Sequence, residues 1–260
     1  MFYLLKLSLF ILITAPAAVA TVLLGLLDRH GKLAYSFSRV WSALILIMGG
    51  VKLNVAGREH IDPRRQYIFM VNHQSNIDIP VLVRSLAGFQ LRWIAKRELL
   101  WVPFFGWAMW ASKHIMLDRT DPLDAVKSIQ RARDRIAAGI SVVVFPEGTR
   151  SRDGRLLRFK KGGFLLAVKA NRPIVPVTII GSRQLLPAGA WRLQRGTIDV
   201  IIGRPIEIEG FRPGNLRHLS ALVRQAIESH PSCLGRDTTE PARDSQQRID
   251  EKESLKERSI

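Results

Sequence analysis

Cysteine is nearly absent from this chain. Cys233 is the only one in 260 residues, which excludes an internal disulfide and a cysteine-rich zinc site and fits a reducing compartment. Acidic residues are scarce too: 22 Asp and Glu stand against 39 Lys and Arg, a formal net charge of +17. Such a balance favours anionic partners, whether nucleic acid, a phospholipid surface or a phosphorylated substrate. The excess is no basic tail, because residues 236–260 hold six Lys/Arg and seven Asp/Glu. No internal repeat is evident. Hydrophobic residues make up 47% of the chain, enough for a sizeable core and too many for global disorder.

Charge is missing altogether from residues 7–27. An apolar run of that length is expected to cross a bilayer as a helix, kinked at Pro16. Ala18-Val19-Ala20 resembles a signal-peptidase site, so secretion is the competing reading. An uncleaved anchor is preferred, since the run continues to Leu27 and only Lys6 supplies an amino-terminal charge. Residues 40–50 form a second apolar stretch, short for a span. It reads as an interfacial helix, half of a re-entrant pair, or a buried core helix. The basic connector with Arg29, Lys32 and Arg39 favours anionic headgroups beside it.

From residue 51 onward, strand and helix patterns alternate. Strands are expected over 51–55, 67–71, 91–95, 114–119, 141–145, 174–180, 197–202 and 205–208, and helices from 75 or 76 to 86, from 120 to Gly139, from the stretch 159–164 to about 169 or 170 and over 216–227. The β-branched run Val142-Val143-Val144 marks a central strand covered on both faces. Pro176 inside its strand argues for an edge or a bulge. Residues 99–110, with Trp101, Phe104, Phe105, Trp107 and Trp110, suit a core, the wall of an acyl-chain pocket, or a patch dipping into lipid. The expected fold is α/β: a single domain with a mixed, mostly β-sheet core flanked by helices, preceded by amino-terminal membrane-associated helices. The divisions are an anchoring region 1–50, a domain 51–230, and a polar, disordered tail 231–260.

His73 stands just past the 67–71 strand, and Asp78 follows five residues later. Strand ends of this kind are where α/β sheets gather ligands. Histidine can take a proton from a hydroxyl at working pH, and a carboxylate beside it can fix its tautomer. The same residues also read as a turn with a carboxylate at a helix start. After the 141–145 strand comes Glu147-Gly148-Thr149-Arg150, which sets a carboxylate, a flexible backbone and a guanidinium at one sheet edge. Arg150 is a natural phosphate partner or an ordinary surface arginine. No His/Cys/carboxylate spacing indicates a metal site.

These pieces make an ordered set. Asn72-His73 with Asp78 resembles the NHxxxxD motif of the glycerolipid acyltransferases. Residues 106–119, ending in Leu117-Asp118-Arg119, resemble their second block. Phe145-Pro146-Glu147-Gly148-Thr149-Arg150-Ser151 is similar to their third, and Ile174-Val175-Pro176-Val177 to their fourth. Over about residues 50–210 the chain resembles the 1-acylglycerol-3-phosphate acyltransferase family. The resemblance implies that His73 is the general base on the free sn-2 hydroxyl of a lysophosphatidate, oriented by Asp78. It implies an acyl thioester donor on acyl carrier protein or coenzyme A and direct transfer without an acyl-enzyme. Arg119 and the Glu147, Gly148, Thr149 and Arg150 loop would hold the glycerol phosphate, with Lys96 a further candidate. No cofactor and no metal are implied, nor is nucleic acid. The expected place is an anionic membrane, with the catalytic domain on the cytoplasmic face of a bacterial inner membrane. Two alternatives stand beside this: another acceptor (a different lysophospholipid, glycerol 3-phosphate or a lyso-aminolipid), and a non-catalytic protein that binds anionic membranes.

Overall fold

The computed structural model describes residues 2–118, 120–190 and 192–230. Two helices come first, α1 (Phe2–Leu27) and α2 (Lys32–Gly49). Seven strands follow: β1 (Val51–Ala56), β2 (Ile68–Val71), β3 (Leu91–Lys96), β4 (Ile115–Leu117), β5 (Ser141–Val144), β6 (Ile174–Ile180) and β7 (Gly196–Ile202). Between and after them lie α3 (Asp78–Ser85), α4 (Phe105–Ala111), α5 (Pro122–Ala137), α6 (Gly162–Ala170), α7 (Ser182–Leu185) and α8 (Leu216–Glu228). The strands form one sheet in the order β1-β7-β6-β2-β5-β3-β4, with β6 and β7 antiparallel and the other neighbours parallel. The expected mixed α/β sheet is therefore what forms.

Burial explains the layers. β2 and β5 are buried at every position, as their continuous apolar runs require. One face of the sheet packs Phe69, Val71, Val143 and Val175 against α2 and α3, through Tyr35, Leu46, Val81 and Leu82. The other packs Ile68, Met70, Val142 and Ile174 against α5, α6 and α8, through Ile136, Phe164, Leu219 and Val223. Tyr35, Ile45 and Leu46 of α2 belong to the first of these cores, so α2 is packed against the sheet. The tail expected over 231–260 lies outside the described residues.

Two expectations change in detail. Residues 205–208 make no strand: Ile206 forms a single bridge with Ile174. Val177 pairs with Ile202, three residues from Ile174 on one strand and four from Ile206 on the other, so one extra residue bulges out opposite Pro176. The proline, which lacks an N–H, is accommodated there inside the sheet, with its carbonyl accepting from Gly203 N at 2.8 Å.

The amino-terminal helices form a hairpin. Trp41 Nε1 donates to Thr14 Oγ1 at 3.1 Å, bringing α2 back along α1. At Gly25, α1 crosses α4 so closely that a Cβ would come within 2.7 Å of Ala111. α2 is buried along one face and leaves Val40 and Ile47 exposed. The span expected over 7–27 is not shown: among the described residues no helix is long and apolar enough to cross a membrane.

Where β2 ends, a side chain continues its ladder. Asn72 Nδ2 donates to Ile179 O at 2.9 Å, and Asn72 Oδ1 accepts from Ile179 N at 2.8 Å, both buried. The carboxamide replaces the next backbone pair and lets the chain turn away at His73. Asn72→Ala would leave a buried donor and acceptor on β6 unpaired, so it is expected to lower unfolding free energy by about 1–3 kcal/mol in urea titration. Unchanged stability would contradict this account of the turn.

Candidate active site

His73 and Asp78 are brought together by a short turn. Asp78 is the first residue of α3 and fully buried, where the positive end of the helix favours a carboxylate. Its Oδ2 accepts from His73 Nδ1 at 2.8 Å, from Gln74 N at 2.9 Å and from Ser75 N at 2.8 Å. The carboxylate thus caps the turn and holds the imidazole at once. With Nδ1–H spent on Asp78, the uncharged ring has a bare Nε2. Phe145 fixes the ring plane, stacked on His73 with centroids 3.9 Å apart and planes 14° apart.

The loop after β5 holds the other side of the same peptide. Glu147 Oε1 accepts from His73 N at 2.8 Å, and Glu147 Oε2 accepts from Leu157 N at 2.8 Å. Ser151 N donates to His73 O at 2.8 Å. Glu147 is buried and committed on both oxygens, so the structure places it behind the site, away from the cleft that a substrate enters. Burial pushes its carboxyl above the ordinary glutamate range, offset in part by the bonds from Leu157 N and His73 N.

A cleft of about 400 Å³ opens at His73. Asn76, Lys96, Phe145, Gly148, Thr149 and Arg150 line it as well. Arg150 Nη1 donates to Asn76 Oδ1 at 2.9 Å, which aims the guanidinium across the turn. Gly148 has φ +73, a left-handed backbone conformation that favours glycine. Further in, the walls are Phe104, Phe105, Ala108 and Met109 beside α4 and Ala17, Ala18, Phe37 and Trp41 of the hairpin. His114 lines the cleft as well. Its Nδ1 accepts from Trp93 N at 3.3 Å, and burial, aided by Arg92 and Arg135, pushes it down to about 3, so it stays uncharged.

Of the residues singled out from sequence, His73, Lys96, Gly148, Thr149 and Arg150 share this cleft and Asp78 stands directly behind His73. Arg119 lies outside the described residues. Among the described residues no group of three or more His, Cys, Asp or Glu could hold a metal ion. Sequence reasoning gave no role to Phe145, to Asn76 or to the hairpin residues that wall the cleft. Phe145 carried a signal, as the last apolar residue of a buried strand next to a Glu-Gly turn. The hairpin carried none, because its contact with the cleft is made across the fold.

The raised Glu147 carboxyl yields a pH test. A group with its folded value above its unfolded value contributes stability below the unfolded value and loses it as pH rises through the folded one. The melting-temperature difference between the wild type and Glu147→Gln is therefore expected to favour the wild type most in acid and to shrink as pH rises. A difference that is flat or grows with pH would contradict the burial described.

A model of the Acyltransferase family matches residues 52–180. The chain is 32% identical over 250 residues to a 1-acyl-sn-glycerol-3-phosphate acyltransferase of Chlamydomonas reinhardtii, covering 94% of this chain and 71% of that protein. It is 36% identical over 184 residues to the 1-acyl-sn-glycerol-3-phosphate acyltransferase of Pseudomonas aeruginosa, covering 70% and 68%. Against several plant and mammalian relatives it spans 53% to 63% of their length. The crystal structure of the 1-acyl-sn-glycerophosphate acyltransferase of Thermotoga maritima superposes with a TM-score of 0.69 at 27% identity, covering 88% of this chain and 95% of that one. With this agreement in sequence and in fold, the chain belongs to the 1-acyl-sn-glycerol-3-phosphate acyltransferase family.

Proposed function

We propose that this protein moves a fatty acyl group from an acyl thioester to the sn-2 hydroxyl of 1-acylglycerol 3-phosphate, giving phosphatidic acid for phospholipid synthesis. The observation that carries the reading is the 2.8 Å bond from His73 Nδ1 to Asp78 Oδ2 at the head of an apolar cleft. The acceptor hydroxyl gives its proton to His73 Nε2 as its oxygen bonds to the thioester carbonyl carbon. The carbon–sulfur bond then breaks, and the imidazolium returns the proton to the departing thiolate. Asp78 stabilises the imidazolium while it exists. No nucleophilic side chain is required, and no cofactor takes part beyond the donor.

Charge and polarity assign the two substrates. Lys96 and Arg150 line the same cleft as His73 and suit the phosphate of the acceptor, which Arg can meet with two parallel bonds. Arg119 joins them on the strength of its motif position alone. Gly148 and Thr149 line the same cleft and would meet the same headgroup. The donor chain arrives from water on coenzyme A or acyl carrier protein and needs apolar walls, which the inner cleft offers. The acceptor's own chain can stay in lipid.

A lipid surface is the natural setting. Leu27 is 82% exposed on α1, Ile47 74% on α2 and Trp101 86% beside α4, with Trp107 and Trp110 about half exposed. Large exposed apolar side chains of this density call for a partner surface, and tryptophan favours the interface of a bilayer. The strongly basic body adds attraction to anionic headgroups. The cytoplasmic face follows from where thioester carriers are found.

Purified protein given lysophosphatidate and an acyl thioester is expected to form phosphatidic acid, read by lipid mass spectrometry. His73→Ala should lower the rate by about 10²–10⁴; full retained activity would overturn the base assignment. Arg150→Ala should harm acceptors that carry a phosphate more than those without one. Equal loss on both would overturn the phosphate role.

A further inference from the structure

Arg92 of β3 is the largest fully buried side chain among the described residues, at 0% exposure. It does not line the cleft, and among the described residues no carboxylate forms an ion pair with it. Its Nη1 donates to Leu91 O at 2.8 Å and, at 3.5 Å, to Gln90 Oε1. Its Nη2 donates to His30 O at 2.8 Å, in the turn of the α1–α2 hairpin. Its guanidinium carbon lies 5.1 Å from the centroid of Tyr35, on α2. Tyr35 carries a second guanidinium, Arg39, at 6.0 Å, and Arg39 Nη2 donates to Phe89 O at 3.1 Å. Two cations thus embrace one ring of the hairpin and are otherwise bound to carbonyls.

An unpaired buried charge is expensive, and replacing buried charges by apolar side chains of like volume is often neutral or stabilising. Burial in fact pulls the Arg92 guanidinium down to about 10. What a planar fork does supply is direction: it ties the hairpin turn, α2 and β3 together at fixed distances. Phe37, Ser38, Trp41 and Ser42 of α2 wall the cleft on one side, and Trp93, next to Arg92, walls it on another. Trp93 also contacts the Tyr35 ring, with centroids 6.2 Å apart.

We propose that Arg92, clamped on Tyr35 and the His30 carbonyl, is a positioning residue that sets the width of the acyl cleft and so the acyl-chain preference of the transferase. The inference rests on the reading of this cleft as the donor-chain site. Without the clamp the hairpin can shift against β3, and the inner cleft loses a fixed dimension. The chemistry at His73 is held by Asp78, Glu147 and Ser151, none of which touches Arg92 in any bond described above.

The test is a competition at fixed lysophosphatidate among saturated acyl thioesters of about twelve to eighteen carbons. Discrimination per methylene in such pockets is typically about tenfold or more. Wild-type protein is expected to show a preferred length. Arg92→Met, which takes the donor from the His30 and Leu91 carbonyls, is expected to lower the melting temperature and, assayed where it is folded, to reduce the preferred-to-shorter ratio of kcat/KM about tenfold. Arg92→Lys, which keeps the cation and loses the fork, should fall between. An unchanged ratio, or an equal loss at every length, would overturn the proposal. If Arg92→Met yields no folded protein, Arg39→Met must move the ratio in the same direction, and an unmoved ratio overturns the proposal equally. Absence of turnover by the wild type with any thioester would instead count against the acyltransferase reading on which the inference stands.

Discussion

The peptide unit of His73 is gripped from both sides by the loop that leaves β5. Its N–H goes to the Glu147 carboxylate and its carbonyl accepts from Ser151. This grip exists because β2 and β5 are adjacent parallel strands that end at the same edge of the sheet. A histidine held only by its own turn would have some freedom of tilt. Here the backbone is fixed by the neighbouring loop, the ring edge by Asp78 and the ring face by Phe145. In the proposed function, pre-positioning of this kind would count because the base would need no reorganisation when the hydroxyl arrives. Glu147 serves it best from behind, buried, with both oxygens on backbone N–H groups. Its motif position had suggested contact with the phosphate.

The sheet was largely legible from the sequence because its strands are short, apolar and punctuated. Uninterrupted runs such as residues 141–144 cannot be solvent-facing, and Asp121-Pro122 announces a helix start that the structure then shows, with Asp121 Oδ1 accepting from Leu123 N. The dyad was legible because both members sit within one turn. What escaped was long-range. Strand order cannot be read from runs alone, so the contact of Glu147 with His73, 74 residues apart, was beyond reach. Pro176 was placed at an edge or a bulge, and the chain uses a bulge in the middle of the sheet, opposite Gly203.

The amino-terminal hairpin shows the same limit more sharply. Its composition speaks of lipid, and its exposed leucines and isoleucine agree. Yet the buried side of α2 is a core element, with Tyr35 between two guanidinium groups and Trp41 on the cleft wall. One hairpin therefore meets two apolar environments: a lipid surface on its outer side in the proposed function, and the acyl cleft on its inner side. This explains why a region that reads as an appendage is packed into the domain. In the proposed function, a substrate with its head in water and its chain in oil would be met by an enzyme with apolar side chains on both its outer surface and its cleft wall.

In the proposed mechanism Asp78 holds His73 with Nδ1 protonated and Nε2 bare toward the substrate. Nitrogen NMR of protein labelled at histidine reads this directly, with the His73 signals identified by their loss in His73→Gln. The uncharged His73 ring is expected to carry its proton on Nδ1, and Asp78→Asn to disturb this preference. A ring protonated at Nε2 with bare Nδ1 would contradict it, because that imidazole could not accept the hydroxyl proton from the cleft.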